Sequence, residues 1–282
     1  MRQFIEVIKP KQTALLMITC VVAYLVSLRS LSIDIVHFLK AMISTFLAVA
    51  GTTALNMWLD RDIDALMCRT RNRPVPSGKL SPKTCMIYGS TLFISGFLIG
   101  LTVNVVLAIV LLLGLIFDIV IYTILLKRKS PYSIVLGGFA GAMPALAGWC
   151  AVREVDILGG LLLATIVLLW IPAHIWYITM HYEDDYRKAN IPMYPLVVGM
   201  EKASWAIVFC TALMLIVVAL LYIVADLSLL YLVLSTLVVS YFLYKAVRFA
   251  KAPDRVKARK MYKLASVTLG IVYISMLFGI FG

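Results

Sequence analysis

The chain has 282 residues, of which 62% are hydrophobic and only 14% are charged. This composition excludes an ordinary soluble domain and indicates an all-α polytopic membrane protein. The net charge is +12, but the basic residues flank apolar segments, so we interpret the charge as a topology signal and predict no nucleic-acid partner. The five cysteines are scattered without metal-ligand spacing, and they predict neither disulfides nor a metal site.

Apolar runs of spanning length predict nine transmembrane helices within a single membrane-embedded domain of residues 1–282. All lysines and arginines except Arg29, Lys40 and Arg153 fall on one side of this arrangement. The positive-inside rule then places the N-terminus in the cytoplasm and the C-terminus outside. The predicted helix cores, in chain order, are 13–30, 38–57, 85–103, 105–126, 133–151, 157–178, 204–224, 227–244 and 262–281.

The end of the second predicted helix carries an amide and two carboxylates at intervals of four residues: Asn56, Asp60 and Asp64. Groups four residues apart lie on one helix face, so these side chains form a ladder of oxygen donors. Mg²⁺ prefers such donors and is usually bound through one or two carboxylates together with substrate phosphates. The alternative interpretation is a solvated helix end without function.

Two further acidic features follow along the chain. Asp118 is the only carboxylate deep in a predicted span, and Tyr122 lies four residues later on the same face, which favours a cavity-facing role because an intramembrane Asp is costly. Glu183, Asp184 and Asp185 follow helix 6, on the same predicted side as the ladder. The two clusters are four helices apart, which suggests a repeat of helices 1–4 and helices 5–8, with helix 9 added.

Basic side chains accompany both acidic clusters, and together they predict a diphosphate bound through Mg²⁺. Each of these cations also fits the general basic belt of a membrane protein, which is the alternative for any one of them. The set consists of Arg69, Arg71, Arg73, Lys127, Arg128 and Lys188.

Four segments resemble the UbiA-type intramembrane prenyltransferases and, within them, the haem O synthase (protohaem IX farnesyltransferase) family. They are residues 9–12 (KPKQ), residues 51–82 with the N-x-x-x-D-x-x-x-D motif, residues 122–152 with Y-T-x-x-L-K-R, and residues 170–199 with PAHIW and DDYRKANIP. The chain lacks the second D-x-x-x-D motif of the wider family. It has Asp185-Tyr186 instead, as the haem O group does, although Ala173 stands where that group usually has a second proline.

The resemblance implies nine helices around a central cavity open laterally to lipid. It also implies transfer of a farnesyl group from its diphosphate to a vinyl group of haem b, through an allylic cation, with Mg²⁺ as cofactor and two ions expected. Ligands for metal would be Asn56, Asp60, Asp64 and Asp185, with Asp184 as a second choice. The diphosphate would contact Arg69, Arg73, Lys188 and Tyr186, and Tyr122 and Lys127 would line the same catalytic pocket.

For the acceptor, the resemblance directs attention to His174, His181, Asp118 and Trp149, where a histidine could ligate iron or position a propionate. The active site would face the cytoplasm in the plasma membrane of a prokaryote. Two alternatives remain at this stage. One is a related prenyltransferase that acts on a quinone precursor or an archaeal lipid glycerol phosphate, and the other is a cation-coupled transporter.

Overall fold

Residues 2–29 and 32–280 are described by a computed structural model of the chain. Nine helices in these ranges are long and apolar enough to cross a membrane, and no strand occurs among the described residues, which confirms the all-α prediction. We number them α1 (Pro10–Leu28), α2 (Ile35–Leu59), α3 (Pro82–Leu101), α4 (Val105–Leu126), α5 (Ser133–Cys150), α6 (Leu158–His181), α7 (Met200–Val224), α8 (Leu229–Lys251) and α9 (Arg255–Gly279).

The largest differences from the predicted bounds lie at the basic ends of α8 and α9. The long loop expected between them shrinks to residues 252–254, because α8 continues to Lys251 and α9 begins at Arg255. Hydropathy detects only the portion of a helix that crosses lipid, whereas the hydrogen-bonded backbone continues into the charged interface. The predicted ends at residues 30 and 281 lie outside the described residues, and the orientation of the termini stays a prediction.

Helices α1, α5 and α6 form the centre of the bundle, since α5 packs against α1, α4 and α6, and α9 packs against α1, α6 and α8. Small residues permit the closest approaches, as is usual between helices in lipid. A Cβ atom built on Gly51 of α2 would lie 2.5 Å from the backbone nitrogen of Phe93 in α3. A Cβ atom on Gly148 of α5 would lie 2.1 Å from the carbonyl oxygen of Cys20 in α1.

We therefore expect Gly148→Ala to destabilise the protein, because the obstructing atom belongs to rigid backbone and α1 and α5 must separate. Overpacking of this kind costs about 1–3 kcal/mol, and more where the backbone cannot move. The matched control is Gly270→Ala in α9, where an added Cβ meets no atom within 4 Å. Thermal unfolding in detergent should show a lower Tm for the first variant alone. Equal Tm values for both variants would contradict the close approach of α1 and α5.

The bundle encloses an elongated apolar cavity of about 500 Å³, lined by α1, α2, α4, α5, α6 and α9. Leu15 and Ile18 of α1 and Ile274 of α9 line this cavity and are each at least half exposed. The cavity is therefore open to its surroundings beside these residues of α1 and α9.

Candidate active site

The three ladder residues stay on one face although the helix breaks between them. Helix α2 ends at Leu59 and a short helix, Arg61–Leu66, follows Asp60. The Asp60 N–H donates to the Asn56 carbonyl at 2.9 Å, and the Asp64 N–H donates to the Asp60 carbonyl at 2.8 Å, so helical bonding continues across the break. All three side chains are buried, with Asp60 only 1% exposed. A solvated helix end is therefore the wrong interpretation.

Each ladder residue accepts a hydrogen bond from a different basic side chain. Burying two carboxylates without positive charges nearby would be very costly, so the basic side chains stabilise the cluster. The pairs are Lys9 Nζ with Asn56 Oδ1 at 2.9 Å, Lys127 Nζ with Asp60 Oδ2, and Arg73 with Asp64 Oδ2 at 2.6 Å. Lys127 and Arg73 were predicted site residues, whereas Lys9 was not.

Lys9 lies immediately before α1 and reaches Asn56 at the end of α2. Its backbone has φ +47°, a left-handed conformation that is uncommon for a lysine and costs energy. Burial and, to a smaller extent, the nearby Arg73 charge lower the pKa of Lys9 to about 8. The signal available in the sequence was a lysine directly before the Pro that opens the first apolar span, which by itself is too common to identify a site.

The free oxygens of the ladder fit Mg²⁺. Asp60 Oδ1 is buried and accepts no hydrogen bond, and Asn56 Oδ1 meets only the ammonium of Lys9. An unpartnered buried carboxylate oxygen is costly and is explained if a cation binds there. Among the described residues no set of three His, Cys, Asp or Glu side chains is already gathered as a metal site. The ladder differs from such a set because its third oxygen ligand is the amide of Asn56. Basic side chains also contact the ladder oxygens in this structure.

The second acidic cluster is divided by the structure. The Asp185 carboxylate accepts hydrogen bonds from the backbone N–H groups of Cys68 at 3.2 Å and Arg69 at 3.3 Å, so it faces the loop that follows the ladder. Glu183 pairs instead with Arg187 and Arg255.

Asp184 points away from this arrangement. Its side chain is 80% exposed and lies 3.6 Å from Arg255. The Asp184 side chain therefore does not lie with that of Asp185, because residues at successive positions of the short helix Glu183–Lys188 point in different directions. Its role as a metal ligand stays a prediction. Lys188 is likewise exposed, at the end of that helix.

Tyr122 and Asp118 line the cavity, as predicted. The Tyr122 ring packs over Gly137, where a Cβ atom would lie 2.5 Å from Tyr122 Cδ2, and the Lys127 ammonium lies 5.4 Å from the centre of the same ring. Tyr186 is buried in the apolar cluster that also contains Ile63, beside the ladder. The Tyr122 phenol and the Asp118 carboxyl group therefore connect the apolar cavity with the charged ladder.

His174 is the histidine that the structure places in the cavity. Its ring stacks on Trp170 with centroids 4.5 Å apart, and its Nδ1 lies 3.1 Å from the Ser266 hydroxyl. His181 does not line the cavity, since it ends α6 and its Nδ1 lies 3.1 Å from the Arg255 carbonyl oxygen. Its predicted acceptor role is therefore not supported by the geometry.

Trp149 does not line the cavity either, and its acceptor role stays a prediction that this placement does not support. The indole is fully buried against Gly159 and Gly160, and its N–H donates to the Asp156 carbonyl at 2.7 Å. It closes the end of the bundle opposite the ladder.

Comparisons with known proteins agree with this architecture. Residues 16–267 match the UbiA prenyltransferase family. The chain is 63% identical over 281 residues to the protoheme IX farnesyltransferase of Archaeoglobus fulgidus, covering 100% of this chain and 99% of that protein. It is 44% identical over 274 residues to the protoheme IX farnesyltransferase of Korarchaeum cryptofilum, covering 97% and 92% of the two chains.

Solved structures share the fold at lower identity. A digeranylgeranylglyceryl phosphate synthase superposes with a TM-score of 0.84 at 23% identity, covering 99% of this chain and 98% of its own. A UbiA homologue from Archaeoglobus fulgidus, bound to GPP and Mg²⁺, superposes with a TM-score of 0.69 at 15% identity, covering 98% and 99%. At these identities the likeness concerns the fold alone.

Proposed function

The chain belongs to the UbiA prenyltransferase family, and on that premise we propose that it transfers a farnesyl group from farnesyl diphosphate to a vinyl group of haem b, giving haem O. The observation that carries the donor half is the buried ladder of Asn56, Asp60 and Asp64, which contacts three cations. One of these cations, Lys127, lies over the ring of Tyr122, which lines the apolar cavity. The acceptor half is supported by the names of the full-length relatives.

The ladder is proposed to hold the diphosphate end of the donor. Asn56 Oδ1, Asp60 Oδ1 and Asp64 would hold one Mg²⁺ ion, and Asp185 would hold a second; when bound, the metal neutralises negative charge on the leaving diphosphate. Lys127 and Arg73, which now pair with the carboxylates, would turn to phosphate oxygens. Lys9, Arg69 and Tyr186 are proposed to complete the contacts around the diphosphate.

The cavity is proposed to hold the farnesyl chain and to protect the allylic cation that forms when the C–O bond breaks. Its walls are largely apolar and exclude water, which would otherwise quench the cation. Tyr122 and Trp170 present electron-rich rings to the cavity and can stabilise positive charge. The vinyl carbon of the acceptor then bonds to the farnesyl carbon, and water supplies the hydroxyl group of the product.

His174 is proposed to position the haem, through its iron or a propionate. Its Nδ1 is engaged by Ser266, which leaves Nε2 for a ligand in the cavity. Asp118 is proposed to face the same acceptor. The related alternatives, a quinone precursor or a lipid glycerol phosphate, would use the same donor end. The transporter alternative is set aside, because both acidic clusters lie at one end of the bundle beside arginines, and a transporter would more often place its ion site near the bilayer midplane.

The protein is a multi-pass membrane protein by its nine candidate spans. We propose that it resides in the plasma membrane of a prokaryote with the ladder on the cytoplasmic side. The basic residues that surround the ladder and extend over the ends of α8 and α9 support this orientation through the positive-inside rule.

The direct test uses purified protein with Mg²⁺, farnesyl diphosphate and haem b, followed by mass spectrometry of the extracted haems. We expect hydroxyethylfarnesyl haem, formed only when Mg²⁺ is present. Parallel reactions replace haem b with a phenolic quinone precursor or with a prenylated glycerol phosphate. Diphosphate release with one of those acceptors, and never with haem b, would overturn the acceptor assignment while retaining the prenyltransferase.

A further inference from the structure

We infer that Thr123 is a positioning residue of the active site, whose hydroxyl group fixes the Asn56 amide so that its oxygen faces the metal. This inference rests on the proposed metal–diphosphate site. It adds the residue that decides whether Asn56 presents its amide oxygen or its NH₂ group to the metal. Thr123 is 4% exposed, and its hydroxyl accepts a hydrogen bond from Asn56 Nδ2 at 3.0 Å.

The backbone around Thr123 has an unusual form that places the hydroxyl correctly. Residues Ile116–Leu126 of α4 form a π-helix, and its wide turn is closed at the end by the Lys127 N–H donating to the Tyr122 carbonyl at 2.7 Å. Wide turns of this kind are rare and frequent at functional sites. The Thr123 hydroxyl donates its proton to the Asp118 carbonyl, five residues earlier, at 2.7 Å.

Because the hydroxyl has only one proton and donates it to Asp118, it can offer Asn56 nothing but a lone pair. Asn56 must therefore present its NH₂ group to Thr123. The second NH₂ proton goes to Asp60 Oδ2 at 3.0 Å, which leaves Asn56 Oδ1 directed at Lys9, on the metal side. If the amide were rotated by 180°, its oxygen would face two other acceptors, Asp60 Oδ2 and the Thr123 hydroxyl oxygen. Its NH₂ group would face the ammonium of Lys9, which is also a donor.

Of the two acceptors that orient the amide, Thr123 alone is independent of the reaction. Asp60 is itself a proposed ligand and also pairs with Lys127, so its hold on the amide changes when metal and diphosphate bind. The buried Thr211, by contrast, only donates its hydroxyl proton to the Ile207 carbonyl of its own helix. The hydroxyl of Thr123 also accepts a hydrogen bond from Asn56, a side chain of another helix. A threonine whose hydroxyl serves only its own helix makes no such contact.

The test compares Thr123→Val, which keeps the shape and removes the acceptor, with Thr123→Ser, which keeps the hydroxyl. Mn²⁺ binding is measured by electron paramagnetic resonance in the presence of a non-reactive farnesyl thiolodiphosphate. Loss of an outer partner of a metal ligand typically weakens metal binding by about 10- to 100-fold, and we expect a loss in that range for Val. The Ser variant and the control Thr211→Val should bind as the wild type does.

A double-mutant comparison separates positioning from damage to α4. A carboxylate has two equivalent oxygens and needs no orientation, so Thr123→Val should weaken Mn²⁺ binding in the wild type but not in an Asn56→Asp background. Thr123→Ala serves if the Val variant does not fold. Wild-type affinity in the Val or Ala variant, or an equal loss in both backgrounds, would overturn the inference alone. Absence of Mn²⁺ binding by the wild-type protein would overturn the proposed site itself and the inference with it.

Discussion

Asp60→Asn is expected to abolish diphosphate release, with a loss on the order of 10²–10³ or more, as for removal of a group that stabilises charge in a transition state. The carboxylate provides the one buried ladder oxygen without a partner, and it also holds the Lys127 ammonium. An asparagine of the same shape loses the negative charge. Because Lys127 and the Asn56 NH₂ group both donate to Asp60 Oδ2, the amide oxygen stays at that position and an NH₂ donor, which cannot bind a metal ion, replaces the unpartnered Oδ1. Both the metal and the diphosphate contacts are then weakened together.

The loss in Asp60→Asn should occur in a folded protein. Lys127 keeps 14% of its side chain exposed and can reach water when its partner is neutral. Turnover is measured as released diphosphate, and helicity and size-exclusion behaviour are measured on the same sample. Full turnover of the folded variant would exclude Asp60 as a metal ligand.

Asp62→Asn is the matched control, because it makes the same chemical change two residues away. Asp62 is 60% exposed and pairs with Arg128, which is 44% exposed, and an ion pair between such exposed groups contributes little stability. Hydrogen bonds from Arg128 lower the pKa of Asp62 to about 2, so its charge is present at all working pH values. We expect nearly normal turnover, and a loss equal to that of Asp60→Asn would show that any change in this helix is damaging.

Asp185→Asn is expected to reduce turnover by about 10- to 100-fold. Hydrogen bonds to a charged group are worth about 1.5–3 kcal/mol, and Asp185 accepts two from the backbone N–H groups of Cys68 and Arg69. Loss of the charge releases the loop that carries Arg69 and Arg73, and it removes the proposed ligand of the second metal. The requirement for Mg²⁺ should shift to higher concentration, which a titration of the initial rate measures.

The neighbouring Asp184→Asn decides between the two candidate ligands of this cluster. Its exposed side chain faces Arg255 at 3.6 Å and points away from the Cys68–Arg69 backbone, so we expect turnover and Mg²⁺ requirement close to those of the wild type. If Asp184→Asn were the more damaging of the two, the assignment of the second metal to Asp185 would have to be reversed.

Much of the fold could be predicted from the chain because lipid imposes a local rule. A backbone in the bilayer must satisfy its hydrogen bonds within one helix, so each span is visible as an apolar run of sufficient length. Where the helix continues past the lipid, as α8 does to Lys251, hydropathy contains no information on its end. The four-helix repeat and the orientation of the termini stay predictions.

Helical spacing also predicted which residues form the ladder. Asn56, Asp60 and Asp64 are four residues apart, and helix geometry alone brings them together. Two residues that meet them from elsewhere, Lys9 and Thr123, stand in segments that carry the family resemblance. Their contacts with Asn56 could nevertheless be recognised only in the folded chain, since both are far from it in the sequence.

Direction was likewise decided by the tertiary structure. Asp184 and Asp185 are adjacent in the sequence, but only Asp185 faces the loop after the ladder. Three aromatic or basic residues, Trp149, His174 and His181, were equal candidates for acceptor binding in the sequence. Helix packing buries Trp149 against Gly159 and Gly160, places His174 in the cavity and leaves His181 outside it. The sequence by itself determined the helices and the oxygen ladder, because both follow from local geometry. Which residues line the cavity, which ladder oxygen each cation meets and where each side chain points depend on which helices pack together, so only the tertiary structure decided them.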